Sequence, residues 1–214
     1  MKTPFRSLLF IVVFLVCEQG QAAGGFLLIV SGPSGAGKSE LIRRLQAQPD
    51  LPLAFSVSAT TRQPRPGEIS GREYEFLTVP QFQERIQQNG FAEWAQVHGN
   101  YYGTPIQALN DSMAAGKIVV LNVDVQGFQK LRQGVRTAKT FSVFIDVPNS
   151  ELRNRLVARG KDSPEAIDRR CANALSEVPF APLYDLRLDN RDGQLDAAAE
   201  KLAAAVRHRH LSAF

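Results

Sequence analysis

Phe26-Leu27-Leu28-Ile29-Val30-Ser31-Gly32-Pro33-Ser34-Gly35-Ala36-Gly37-Lys38-Ser39 is the stretch that decides the fold. Its apolar run has the length of a buried β-strand and leads straight into the spacing G-x-x-x-x-G-K-[ST]. Glu40-Leu41-Ile42-Arg43-Arg44-Leu45 then continues in a helical pattern. Strand, glycine-rich turn and helix are the context that a phosphate-binding loop requires. Gly32, Ser34, Gly35, Ala36 and Gly37 supply backbone N–H groups that curl round a phosphate, and the helix N-terminus adds unpaired donors and partial positive charge. Lys38 reaches the β- and γ-phosphates, and the Ser39 hydroxyl is placed to ligate Mg²⁺. A glycine-rich turn that binds nothing is the bland alternative, and both flanks speak against it. The chain is expected to bind a nucleoside triphosphate.

The remainder reads as an alternation of strands and helices. Strands are expected at 26–31, 53–57, 118–123, 140–146 and 184–188, and helices at 37–48, 105–115, 125–133, 149–159, 164–177 and 194–209. That alternation predicts an α/β fold, with a parallel central sheet covered by helices on both faces. Between 56 and 104 the pattern changes. There Tyr74–Leu77 and Phe91–Val97 read as antiparallel strands flanking a helix over Pro80–Asn89, which gives an inserted α+β subdomain.

The whole chain has 214 residues, which suits one domain with small insertions. Its net charge of +4 is modest, and the arginines are clustered at Arg62/Arg65, Arg153/Arg155/Arg159 and Arg169/Arg170. Beside a phosphate loop, such clusters read best as clamps for a polyphosphate. Aromatic residues are not interleaved with them as a single-strand-binding surface would need, so no nucleic-acid partner is expected. Cys17 and Cys171 make no disulfide framework, and His98, His208 and His210 are too scattered for a zinc site. The only metal implied is the Mg²⁺ that accompanies ATP.

Residues 1–24 stand apart. Lys2 and Arg6 precede the apolar run Leu8–Val16, and Gly20-Gln21-Ala22 resembles a cleavage site. This has the form of a secretory signal peptide, and the run is too short for a normal membrane span. An enzyme that consumes ATP has little use for export. The reading adopted is therefore a start further in, with the folded domain beginning near Gly25, a cytoplasmic location and no stable membrane association. Export stays open as the alternative.

The segment after the loop carries Ser56-Val57-Ser58-Ala59-Thr60-Thr61-Arg62-Gln63-Pro64-Arg65-Pro66-Gly67-Glu68, then Gly71-Arg72-Glu73-Tyr74. Phe91-Ala92-Glu93-Trp94-Ala95 and Gly99-Asn100-Tyr101-Tyr102-Gly103-Thr104 follow. With the phosphate loop, these five motifs in order closely resemble the guanylate kinase family over residues 25–210. That resemblance implies transfer of a phosphoryl group from ATP to GMP, and more weakly to dGMP. It implies a P-loop fold with a GMP-binding insert at 56–104 and a helical lid at 149–178.

The resemblance also implies roles. Ser58, Arg62, Arg65, Tyr74 and Tyr102 would hold the GMP phosphate, for which arginine forks and hydroxyls suit a dianion. Glu93 would read guanine, with Thr104 and Ser58 completing the contacts. Lid arginines Arg155 and Arg159, with Arg170 one helix later, would close over the phosphates beside Lys38. Asn190 would lie near the adenine, and Asp124 near the metal and acceptor.

Two positions depart from the family. Leu121-Asn122-Val123-Asp124 stands where Asp-x-Asp is usual, which removes one carboxylate, and Asp189-Asn190-Arg191-Asp192 is irregular against Val-Asn-Asp-Asp. Three rivals stay open: a related kinase for ribose 1,5-bisphosphate, a non-catalytic binding module, and a degenerate or secreted paralogue. The base-reading set argues against the first, and intact Lys38 and Ser39 against the second.

Overall fold

The computed structural model describes residues 24–72, 74–97, 99–134, 139–160 and 163–212. The signal-like run and His98 lie outside the described residues. The elements in chain order are β1 Phe26–Ser31, α1 Lys38–Gln46, β2 Leu53–Phe55, β3 Ala59–Thr60, β4 Glu75–Phe76 and α2 Val79–Gln87. They continue as β5 Phe91–Val97, β6 Asn100–Pro105, α3 Ile106–Ala114, β7 Ile118–Asn122, α4 Val125–Gly134 and β8 Thr140–Asp146. The last are α5 Asn149–Arg159, α6 Pro164–Glu177, a 3₁₀ helix at Val178–Leu183, β9 Leu186–Asp189 and α7 Leu195–Ser212.

The central sheet has the order β2-β7-β1-β8-β9, and every pair in it is parallel. The continuous apolar run of β1 has a simple cause: each of its residues is buried, but against different layers. Phe26, Leu28 and Val30 pack with Leu41, Leu45, Leu152, Leu202 and Val206 from α1, α5 and α7. Leu27 and Ile29 pack on the opposite face, with Leu109, Phe128 and Leu131 of α3 and α4. A strand buried on both faces needs no polar alternation. The chain runs first to β2 and β7 on one side of β1, and then crosses to β8 and β9 on the other. The crevice at this reversal, outside the carboxyl ends of β1 and β7, is where an open α/β sheet takes a ligand.

A second, four-stranded sheet has the order β4-β3-β6-β5. Its small core is Phe82 of α2 stacked on Phe91 at 4.3 Å and on Tyr101 at 5.3 Å, over Ala59. A capping box starts α2, with the Thr78 side chain accepting from the Gln81 amide and the Gln81 side chain accepting from the Thr78 amide. The strands expected at Tyr74–Leu77 and Phe91–Val97 do not pair with each other. β4 pairs with β3 in parallel, whereas β5 forms an antiparallel hairpin with β6 at the opposite edge. A short turn before Asn100 gives that hairpin the smaller loss of chain entropy on closure. Near the C-terminus, Pro179 and Pro182 hold residues 178–183 in a 3₁₀ helix, so β9 begins at Leu186 and not at Tyr184.

Candidate active site

The phosphate loop is shaped by glycines that no other residue replaces at two points. Gly32 has φ 134°, and a Cβ there would run into the Ile145 carbonyl oxygen of β8. Gly37 has φ 87°, and its Cβ would lie 2.5 Å from Asn190 Nδ2. Gly37 also offers no side-chain cap to α1. The Lys38 and Ser39 amides in the first turn of that helix are thus left for an anion, while the Glu40 amide donates to the Gly37 carbonyl at 3.1 Å. Asn190 is buried beneath the loop and donates from Nδ2 to the Ala36 carbonyl at 2.8 Å.

Lys38 folds back over its own loop, with Nζ donating to the carbonyls of Gly32 at 2.5 Å and Pro33 at 2.9 Å. Burial pushes its pKa down, and the nearby carboxylates of Glu177 and Asp124 oppose that shift. Glu177 is half-buried, and its Oε2 has no hydrogen-bond partner among the described residues. Burial raises its pKa, Lys38 lowers it, and Asp124 raises it further. Sequence reasoning gave Glu177 no role. It lies at the end of α6 with no local motif, and only the fold brings it to Lys38.

Two cavities meet at Ser39. One, of about 690 Å³, lies between the loop and α5 and is lined by Ser34, Gly35, Gly37, Lys38, Arg155 and Arg159 among others. The second, of about 380 Å³, lies between the central sheet and the second sheet. It takes in Ser39, Ser58, Glu93, Thr104 and Asn122. Arg155 lines the first cavity but is tied sideways, Nε to Asp192 Oδ1 at 2.7 Å and Nη2 to the Asn190 carbonyl at 2.7 Å. Arg170 Nη1 donates to Ser34 Oγ of the loop. Asp124, at the start of α4, lines neither cavity and accepts from the Gly127 amide at 2.7 Å.

In the second cavity, β5 carries an irregularity between Phe91 and Glu93, where two steps along β5 match one along β6. A bulge of this kind re-aims the side chain that follows it. Glu93 sits opposite Thr104, whose hydroxyl donates to Glu93 Oε1 at 2.6 Å. The second sheet also carries a cluster of one cation and two aromatic rings. Tyr74 and Tyr102 lie 6.0 Å apart edge to face, and the Arg62 guanidinium stands 5.4 Å from the Tyr74 ring centre. Arg65 is exposed, and its backbone N–H donates to Glu68. Of the residues named from sequence, the structure therefore brings together three groups: the loop with Lys38, Ser39, Arg155, Arg159 and Arg170; Ser58 with Glu93 and Thr104; and Arg62 with Tyr74 and Tyr102.

Asn122 ends β7 and reaches Ser39 Oγ with Nδ2 at 3.5 Å. Replacing it with Asp places a carboxylate at the junction of the two cavities. The expected result for Asn122→Asp is a gain in kcat of about tenfold, equivalent to ~1.4 kcal/mol at the transition state. A loss of activity in a steady-state assay would show that the junction is built around the amide.

The guanylate kinase family model matches residues 25–209. A guanylate kinase from Wolinella succinogenes is 43% identical over 189 residues, covering 88% of this chain and 86% of that protein. Another, from Ruegeria pomeroyi, is 46% identical over 183 residues, covering 85% and 84%. Among solved structures, guanylate kinase from Anaplasma phagocytophilum superposes with a TM-score of 0.61 at 26% identity, covering 88% of this chain and 87% of that one.

Proposed function

The chain belongs to the guanylate kinase family, and we propose that its two cavities carry out the family reaction as separate nucleotide seats. The larger takes the triphosphate of ATP, and the smaller takes GMP. The observation that carries this reading is the Glu93–Thr104 pair, which faces a cavity that opens onto the phosphate loop at Ser39. Guanine presents N1–H and a 2-amino group, both donors, to a carboxylate. Adenine presents an acceptor at N1 and would leave the carboxylate unpaired.

The chemistry asks little of the protein beyond position and charge. The acceptor is a phosphate oxygen that is already anionic, so no general base is required. Lys38 exchanges two neutral carbonyl partners for anionic phosphate oxygens, which are the stronger acceptors. Arg155 and Arg159 on α5 and Arg170 on α6 present guanidinium groups to the same loop. Asp192 and the Asn190 carbonyl fix the direction of the Arg155 fork. Excluding water from between the seats favours transfer to GMP over hydrolysis of ATP.

The donor set suits a Mg²⁺ brought in on ATP. The Ser39 hydroxyl is exposed at the start of α1, and Asp124 is the carboxylate within electrostatic reach of Lys38 beside it. No group of three or more His, Cys, Asp or Glu among the described residues forms a protein cage. Mg²⁺ held mainly by phosphate oxygens and water needs none. Bound there, the ion adds positive charge against the transferring phosphoryl group. No helix among the described residues is long and apolar enough to cross a membrane. A kinase fed by ATP and GMP belongs where both are made, and we place it in the cytoplasm on that ground.

The test is a coupled ADP-release assay with GMP, dGMP, AMP, CMP and ribose 1,5-bisphosphate. The expected order is GMP first and dGMP next, with the others lower by at least about a hundredfold in kcat/KM. Faster turnover of AMP or the sugar bisphosphate would overturn the role given to Glu93. No turnover with any acceptor would favour a binding module.

A further inference from the structure

The loop that carries Arg62 and Arg65 is closed by a side chain to which neither motif nor mechanism has given a task. Both Glu68 carboxylate oxygens accept from Arg62 Nη2, each at 3.0 Å. The same Oε2 accepts the Arg65 backbone N–H at 2.7 Å, and the Glu68 N–H returns to the Arg65 carbonyl at 3.0 Å. Both side chains of the Arg62–Glu68 pair are only 17% exposed. Nη1 of Arg62 donates to the Gln63 carbonyl at 2.7 Å, and the guanidinium lies over Tyr74 and Phe76. The hydrogen bonds from Arg62, with the one from the Arg65 amide, hold Glu68 below the usual carboxylate range, so it is ionised at neutral pH.

Two opposite roles fit a carboxylate beside a phosphate-binding arginine. It either competes with the phosphate for the guanidinium or holds the guanidinium ready for it. Geometry decides between them. A competitor takes the two-nitrogen fork, as Glu75 of β4 does with Arg85 of α2: Nη1 to Oε2 at 2.6 Å and Nη2 to Oε1 at 2.8 Å. Glu68 instead turns both its oxygens to the single nitrogen Nη2. A guanidinium has five N–H donors, so the Glu68 and Gln63 bonds, together with the one to the Tyr102 hydroxyl, still leave part of its donor edge for a ligand. Orienting a long, rotamer-rich side chain before the ligand arrives removes an ordering cost from binding.

We propose that Glu68 is the positioning residue of the acceptor-phosphate clamp, holding the Arg62 guanidinium and the Arg65 turn in the geometry that receives the phosphate of GMP. The inference rests on the reading of Arg62 as a GMP-phosphate ligand. The experiment separates the two by comparing GMP with guanosine, which shares the base and lacks the phosphate. Dissociation constants for both are measured by calorimetry on the wild-type chain, Arg62→Ala, Glu68→Ala and Glu68→Gln, with a thermal melt for each. Glu68→Ala weakens GMP by about tenfold to a hundredfold, the range for a lost charge-assisted hydrogen bond. Guanosine stays within about twofold. KM for GMP rises by the same factor, and kcat changes much less. Glu68→Gln recovers part of the loss, since its amide oxygen still accepts the Arg65 N–H.

Tighter GMP binding in Glu68→Ala would make the residue a competitor and overturn the proposal. Equal weakening of GMP and guanosine would reduce it to a general structural role, which also overturns it. Unchanged affinity in both Glu68 variants does the same. If Arg62→Ala leaves GMP affinity unchanged, the clamp reading itself falls and takes the proposal with it. Should Glu68→Ala fail to fold, the near-isosteric Glu68→Gln decides: a selective loss of GMP affinity supports the clamp, and unchanged affinity overturns it.

Discussion

Lys38→Met is expected to lower kcat on the order of a thousandfold and to leave the melting temperature nearly unchanged. The two halves have separate causes. The ammonium contributes a full charge in a partly buried loop where negative charge develops on the transferring group, and Met offers none. ATP affinity falls less, because the loop amides and the start of α1 still cradle the phosphates. Stability is spared because Lys38 belongs to none of the buried clusters. Burial also pushes its pKa down, which means the native fold tolerates the charged form at a cost. Removing the charge relieves that cost and offsets the loss of bonds to two neutral carbonyls. ADP release and a thermal melt on the same preparation check both halves. Near-normal turnover would sink the mechanism, and a collapsed melt would mean that the lysine serves the loop's structure instead.

The central sheet was legible because β1 writes its burial into its residues. All six positions of β1 are buried and the first five are apolar, the pattern of a parallel strand covered by helices on both faces. The helices were legible for a related reason: α5 and α6 begin at or beside Pro148 and Pro164 and bury one face each. The second sheet was harder. β3 and β4 have two residues each, too few for any period, and their pairing joins residues 16 positions apart in the chain, Ala59 with Glu75 and Thr60 with Phe76. The site divides the same way. Lys38, Ser39 and the glycines follow from spacing, since one local turn builds their geometry. The sideways anchoring of Arg155 by Asp192 joins residues 37 positions apart, and the approach of Glu177 to Lys38 depends on how α6 lies against the loop. Neither leaves a local signal. Glu68 did sit inside a legible motif, but its task depends on which guanidinium nitrogen it holds, and that is set only by the folded loop.

Glu93→Gln is expected to lower kcat/KM for GMP by about a hundredfold to ten-thousandfold and to narrow the gap between GMP and AMP. The change is nearly isosteric, so the effect isolates hydrogen-bond polarity. Thr104 donates to Glu93 Oε1, which leaves Oε2 and the second lone pair of Oε1 to face the base. Guanine brings two donors, N1–H and the 2-amino group. An amide turned so that its oxygen meets one of them presents its own NH₂ to the other, and two donors then face each other. If it turns the other way, the Thr104 hydroxyl loses the acceptor it now uses and must turn to accept from the amide, in a buried position. IMP, which lacks the 2-amino group, should fall between GMP and AMP in the wild-type chain and lose less than GMP in the variant. The sharpest check is therefore the ratio of GMP to IMP, measured in both proteins under one set of conditions. A preference for GMP over IMP that survives the substitution would place guanine reading elsewhere in the cavity, among polar lining side chains such as Gln46, Ser56, Ser58 and Asn122.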